Sequence, residues 1–373
     1  MVKRTIIFLM IFSILFVNIG WAGERISASI EKDLDGLKYY FVRSSTNYGP
    51  INIHVIEIDP NLYKIRLAMA KNKIGYIDYL SNIIQYNLNA LAGINGTFFT
   101  LNYPPLPISN VMIDGKMVYL NNIHRTNCGI TKENKIFFGI PGIKGLISDE
   151  NHEKLFYIWG MNRPRKNNEI IVYTEDWGKK TETNLHGAEI IIENNKIVKI
   201  SNGNSVIPQN GFVISVHGTS KKVLQYLEVG QKINLEFTLQ NEWKDAHQIF
   251  TGGPRLLESG EIVANKAIKD EKFKGYLLGL NPRTAVGLTK DGKFLMVVID
   301  GRSRSSVGVT FLGLAHIMSD LGAIEAMGLD GGNSSMMWIN GGIINCPSGG
   351  GRNISNAIIV EKMTIFIPDL SEP

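Results

Sequence analysis

Two aspartates, Asp300 and Asp330, each end an apolar run and are each followed by glycine. The first closes FLMVVID and the second falls in GLDGGNSSMM, residues 328 to 337. Asp-Gly after a strand is ordinary turn chemistry, so neither residue argues for a reaction by itself. Their connection does. FLMVVI reads as a strand buried on both faces. Thr310 is placed to cap a helix from Phe311 to about Leu321, and Leu312, Leu314, Ala315, Ile317, Met318 and Leu321 give that helix an apolar face. Gly322 suits the position just past its end. AIEAMGLD then returns as a strand.

Strand, loop, helix, strand is a crossover unit. With both strands parallel in one sheet, the two carboxylates stand on one edge, where open α/β sheets bind ligands. Neighbouring strands lie about 4.8 Å apart and next neighbours roughly twice that. Either spacing suits the roughly 5 to 9.5 Å between paired carboxylates in glycoside hydrolysis. Asn95, at the end of LAGIN, is expected at the same edge. Arg283, Arg302 and Arg352 are near in sequence, and guanidinium suits bidentate binding of phosphate. Gly252 and Gly253, in TGGPRLL, could let backbone N–H groups approach a ligand. His217 ends the strand in SVHG and could face the site, although a hydrogen-bonded structural histidine is the plainer reading.

Around these residues the chain shows strand and turn signals. INIHVIEID and YKIRLAMA read as strands, residues 76 to 90 carry apolar residues at helical spacing, and residues 169 to 240 are strand-rich. HRTNCGITKENKIFFGI (124–140) and PRTAVGLTKDGKFLMVV (282–298) share a pattern at a fixed offset. Both read as hairpins, which suggests pseudo-symmetry. The fold expected is α/β (α+β mixed): a mixed β-sheet core with crossover helices and a strand-rich inserted lobe near 145 to 250.

The 373 residues carry 39 basic and 34 acidic side chains. Lys3 and Arg4 precede an apolar run, Ile6 to Val17, followed by small residues, the shape of a secretory leader over 1–22. Without that leader the balance is 37 against 34, or +3. This is too weak for a nucleic-acid binder. No later segment is long and apolar enough to span a bilayer. Cys128 and Cys346 lie far apart in sequence, and a bridge or two separate thiols fit equally. No zinc spacing, serine-hydrolase elbow or Walker loop is present.

INGTFF, TGGPRLL, NPRTAVGLTKDGKFLMVVIDGR, GLDGGNSSMMWINGG and GGGRNISNAIIV, in this order, resemble the phosphodiester glycosidase domain. That domain is shared by bacterial proteins labelled exopolysaccharide-biosynthesis proteins and by the lysosomal enzyme that uncovers mannose 6-phosphate. The resemblance runs from about 50 to 362, after a lead-in at 23–49 and before a tail at 363–373. It carries over Asn95, Arg283, Asp300 with Arg302, Asp330, and Arg352 with Ser355 and Asn356. Asn333 departs from the family, where a third glycine usually precedes Ser334.

The leader implies export, periplasmic or extracellular, and the resemblance implies a hydrolase that cleaves the bond between a sugar and phosphate in a sugar 1-phosphodiester of the N-acetylglucosamine type. Asp330 and Asp300 are then the catalytic pair. Asn95, Arg283, Arg302, Arg352, Asn333, Ser334, Asn356, Gly252 and Gly253 are expected to bind substrate. The partner is a sugar phosphodiester or polysaccharide. No cofactor is required, and a divalent cation, Ca or Mg, is compatible with the acidic pair. The alternatives are a metal-dependent phosphodiesterase and a non-catalytic polysaccharide-binding module.

Overall fold

The computed structural model describes residues 14–15 and 27–363, with side chains from residue 34 onward. The expected leader over 1–22, apart from Ile14–Leu15, and the tail beyond residue 363 lie outside the described residues. Among the described residues no helix is long and apolar enough to cross a membrane.

Antiparallel pairing dominates the expected mixed sheet. The protein is 43% strand and 15% helix, so mixed in class but mostly β. The central sheet has nine strands. Its middle runs Gly49–Ile58, Phe294–Ile299, Arg283–Thr289, Ala323–Gly328 and Arg255–Glu258, each antiparallel to the next. Arg283–Thr289 is thus wedged between the two strands that carry the aspartates. Those two strands run the same way as next neighbours, and Asp300 and Asp330 do leave at one edge. A tight KDGK turn joins Arg283–Thr289 to Phe294–Ile299, and a tight turn enforces antiparallel pairing. Only the return to Ala323–Gly328 needs a helix.

That helix, Phe311–Asp320, forms where its pattern placed it. Thr310 Oγ1 accepts from the Gly313 N–H at 3.1 Å, and Gly322 follows with φ +84. Phe311, Leu314, Ala315 and Met318 bury against Leu295, Val297 and Ile299. The alternate residues Phe294, Met296 and Val298 face a second core on the other side. Strand Phe294–Ile299 is therefore sandwiched, as its unbroken apolar run requires.

The second core is closed by a five-stranded sheet that includes Tyr63–Met69, Ala90–Asn95, Met337–Ile339 and Asn356–Lys362. The helix on its outer face is only Leu80–Gln85, shorter than the spacing over 76–90 implied. Asp78 Oδ1 accepts from the Tyr79 N–H and Asn82 Nδ2, which starts the helix late. Leu88 is solvent-exposed, so apolar spacing past Gln85 buys no burial.

A third sheet pairs Asn127–Thr131 with Ile136–Gly139 and Ala246–Thr251. The remaining sheets, within residues 144–238, pack around their own core of Ile147, Ile190, Ile214 and Ile233 and form the strand-rich lobe. Both hairpins read from the repeated pattern are present. Cys128 is buried, Cys346 is exposed, and both thiols are free.

Candidate functional site

A cavity of about 220 Å³ opens at the edge where the central strands end. Asp330, Arg283, Arg302, Arg352 and Asn333 line it, together with Phe98, Tyr276, Leu277 and Asn281. Sequence reasoning named the first five. It missed Tyr276, which lies in a short 3-10 turn with no motif around it, and Asn281, which stood in plain view before Pro-Arg-Thr-Ala.

Asp330 is buried, and its carboxylate accepts from Arg352 Nη2 at 2.9 Å and from the Gly331 N–H at 3.0 Å. Burial pushes its carboxyl above the ordinary carboxylate range, while Arg352 and Ser334 pull against that shift. Arg352 Nε donates to Ser334 Oγ at 2.6 Å, and its guanidinium lies 5.0 Å from the Phe99 ring. Ser334 is therefore buried behind Arg352, not set in the cavity wall.

Arg302 has a left-handed backbone, φ +61, which costs a non-glycine residue roughly 1 kcal/mol. Two amides hold it there: Nη1 donates to Asn333 Oδ1 and Nη2 to Asn281 Oδ1, each at 2.7 Å. Asn333, the departure from the family pattern, is thus the residue that orients a cavity guanidinium.

Arg283 is less free than its motif suggested. Nε donates to the Val309 carbonyl at 2.9 Å, and Nη2 donates to the carbonyls of Leu277 and Gly279 at 2.7 Å each. Its guanidinium sits 3.9 Å from the Phe311 ring centroid. Burial and the nearby Arg302 push its pKa down to about 9, which leaves it cationic at neutral pH. Arg283 ties the Tyr276 loop to the helix start and offers only Nη1 to a ligand.

Six expected residues do not line the cavity. Asp300 is buried, with Oδ2 3.3 Å from His54 Nε2 and Oδ1 accepting from Asn345 Nδ2 and the Cys346 N–H. His54 Nδ1 in turn meets the Tyr39 hydroxyl at 2.8 Å. Asn345 also donates to the Ser335 carbonyl, so Asp300 anchors the chain that follows Asp330. His54 was missed as well, although a lone histidine inside INIHVIEID was the available signal.

Asn95 donates from Nδ2 to the Asp330 carbonyl at 2.7 Å, and its Oδ1 accepts from Thr284 Oγ1 and the Met336 N–H. It fixes the Asp330 loop from below, and its amide is not free for a sugar. Asn356 spends its amide on Thr97 and Ser355. The N–H groups of Gly252 and Gly253 go to the carbonyls of Thr126 and Gly328. A Cβ at Gly252 would lie 2.3 Å from the Gly328 carbonyl, so close packing of two chain segments explains that glycine. His217 ends strand Gly211–Val216, in the lobe.

Among the described residues no group of three His, Cys, Asp or Glu side chains could hold a metal. The cavity offers one carboxylate and three guanidinium groups. Such a lining suits an anion placed beside a centre that becomes positive during reaction.

Residues 186–361 match the family described as phosphodiester glycosidase. The chain is 24% identical over 140 residues to N-acetylglucosamine-1-phosphodiester alpha-N-acetylglucosaminidase of Bos taurus, a match covering 33% of this chain and 26% of that protein. A crystal structure of a hypothetical protein from Synechocystis shares the fold with TM-score 0.78 and 21% identity, over 88% of this chain and 62% of that one. A putative exported protein from Burkholderia pseudomallei K96243 does so with TM-score 0.70 and 21% identity, over 84% and 74%. The match spans about a quarter of the bovine enzyme's length. The family read from the motifs is the family whose model residues 186–361 match.

Proposed function

We propose that this protein is an exported hydrolase that cleaves the sugar–phosphate bond of a sugar 1-phosphodiester, of the N-acetylglucosamine type, within a surface or extracellular polysaccharide. The observation that carries this reading is the single buried carboxylate, Asp330, in one cavity with Arg283, Arg302 and Arg352.

The chemistry follows from charge. As the glycosidic bond lengthens, positive charge grows on the sugar and negative charge on the departing phosphate. Asp330 faces the sugar, as nucleophile or as base for water. The leaving phosphate monoester departs as an anion, so it needs cations more than a proton donor. Among the described residues, Arg302 Nε and the Nη1 atoms of Arg283 and Arg352 donate to no protein acceptor, and they are available for it. Asn281 and Asn333 hold the Arg302 fork in place before substrate arrives, which removes reorganisation from the reaction. Asp300 acts at a distance: with His54 and Asn345 it positions the loop that carries Asp330.

The test uses purified protein, an N-acetylglucosamine 1-phosphodiester and oxygen-18 water. Label in the released sugar supports carbon–oxygen cleavage. Label in the phosphate would replace this reading with a phosphodiesterase.

A further inference from the structure

A second cavity, of about 270 Å³, lies against the other hairpin. Its wall includes Asn110, Asn122, His124, Asn127 and Lys144, and no acidic residue. Asn110 is 2% exposed; its Oδ1 accepts from the Asn121 N–H, while Nδ2 has no acceptor among the described residues. Asn110 lines the cavity, and its amide donor is left open to a ligand oxygen or water. Asn122 donates to the Ile143 carbonyl and keeps its own oxygen free.

The linings of the two cavities coincide at two positions of the paired hairpin units, Asn281 with Ile123 and Arg302 with Lys144. Arg125 and Arg283 differ by 158 positions, and so do all the hairpin pairings: Gly129 with Phe137 matches Gly287 with Leu295. The same offset takes Arg302, in the first cavity, to Lys144, in the second. It takes Asp300 to Gly142. The third strands agree as well. The Leu329 N–H bonds the Thr284 carbonyl as the Gly252 N–H bonds the Thr126 carbonyl, so Asp330 matches Gly253. Arg125 stacks 5.1 Å from Phe98, a wall of the first cavity, and follows His124, a wall of the second, in sequence.

We propose that the second cavity binds a phosphate-bearing sugar without cleaving it. Lys144 and His124 meet the phosphate, and the amides of Asn110 and Asn122 meet sugar hydroxyls. No carboxylate lines the second cavity, since Glu271, the acid beside Gly253, is turned inward onto Thr126 and Arg255, so a ligand is held and not hydrolysed. The ligand class follows from this lining alone and does not depend on turnover at Asp330.

The experiment titrates N-acetylglucosamine 1-phosphate into the full Asp330→Asn chain by calorimetry. The expected result is two molecules per chain. Lys144→Glu, an exposed change, should weaken one of them by about tenfold or more, the loss of a charge-assisted contact. Asn110→Ser should act on the same molecule, and Arg302→Ala on the other. Binding that responds only to Lys144→Glu supports this inference and counts against the first cavity as a phosphate site. Binding that responds only to Arg302→Ala overturns the inference and leaves the proposed function standing. Inorganic phosphate binding as tightly as the sugar phosphate overturns the sugar contact, and no binding at all overturns the site.

Discussion

Two hairpins of one register have been finished differently. In the Arg283 unit, Thr284 Oγ1 donates to Asn95 Oδ1 and meets Ser335 Oγ, two neutral partners below the Asp330 loop. In the Arg125 unit, Thr126 gives both its N–H and its hydroxyl to the Glu271 carboxylate, which also takes the Arg255 N–H. The matching position beyond the third strand is Asp330 in one and Gly253 in the other. A Cβ at Gly253 would lie 2.1 Å from Glu271 Oε2. One unit therefore turns a carboxylate out toward a cavity, and the other turns a carboxylate in as a structural plug. Site chemistry here is not a property of the hairpin. It depends on what fills the space at the end of the third strand.

The largest expected effect separates the two carboxylates. Asp330→Asn should lower kcat/KM by about a thousandfold or more while the thermal transition stays in place. Glu271→Gln should do the reverse: a loss of about 2 kcal/mol in urea denaturation with turnover per folded molecule retained. Activity near wild type in a folded Asp330→Asn chain would break the comparison at its centre.

Asp300→Asn comes next, with an expected loss of roughly 10- to 100-fold, as for a residue that orients a reacting group without touching substrate. A loss as deep as that of Asp330→Asn would return Asp300 to the catalytic pair. The pH profile is a finer test. Burial raises the Asp330 pKa, and a carboxyl with a raised pKa stays protonated to higher pH. The acid limb of kcat/KM should therefore lie above the ordinary aspartate value of about 3.9. Arg352 holds that pKa down, so Arg352→Gln should move the limb further up; a downward move contradicts the pairing.

The smallest effect is expected from Asn333→Gly, which restores the usual family residue. It removes one of two amides on the Arg302 fork, and KM should rise by only a few fold, with kcat nearly constant. Chelator should leave all these rates unchanged. Loss of activity in chelator would reveal a metal that the cavity residues do not suggest.

Local pattern determined a good deal. The apolar run at 294–299, the Thr310 cap, Gly322 past the helix and the two hairpin turns are set by nearest-neighbour physics, and each stands where the chain alone implied. So does the common edge for Asp300 and Asp330, because strand direction follows from the helix between them. Tertiary structure decided the rest. The insertion of Arg283–Thr289 between the aspartate strands is a long-range pairing that periodicity does not encode. Asp300 turns toward His54, 246 residues away, because a buried carboxylate goes where its hydrogen-bond partners are. Asn95, Ser334 and Asn356 were legible as site residues and illegible as to role, since an amide or hydroxyl beneath a loop and one facing a ligand look alike in sequence. The family motif marks the residues that build the site. Which of them face the cavity is settled by burial and by which donors the fold has already used.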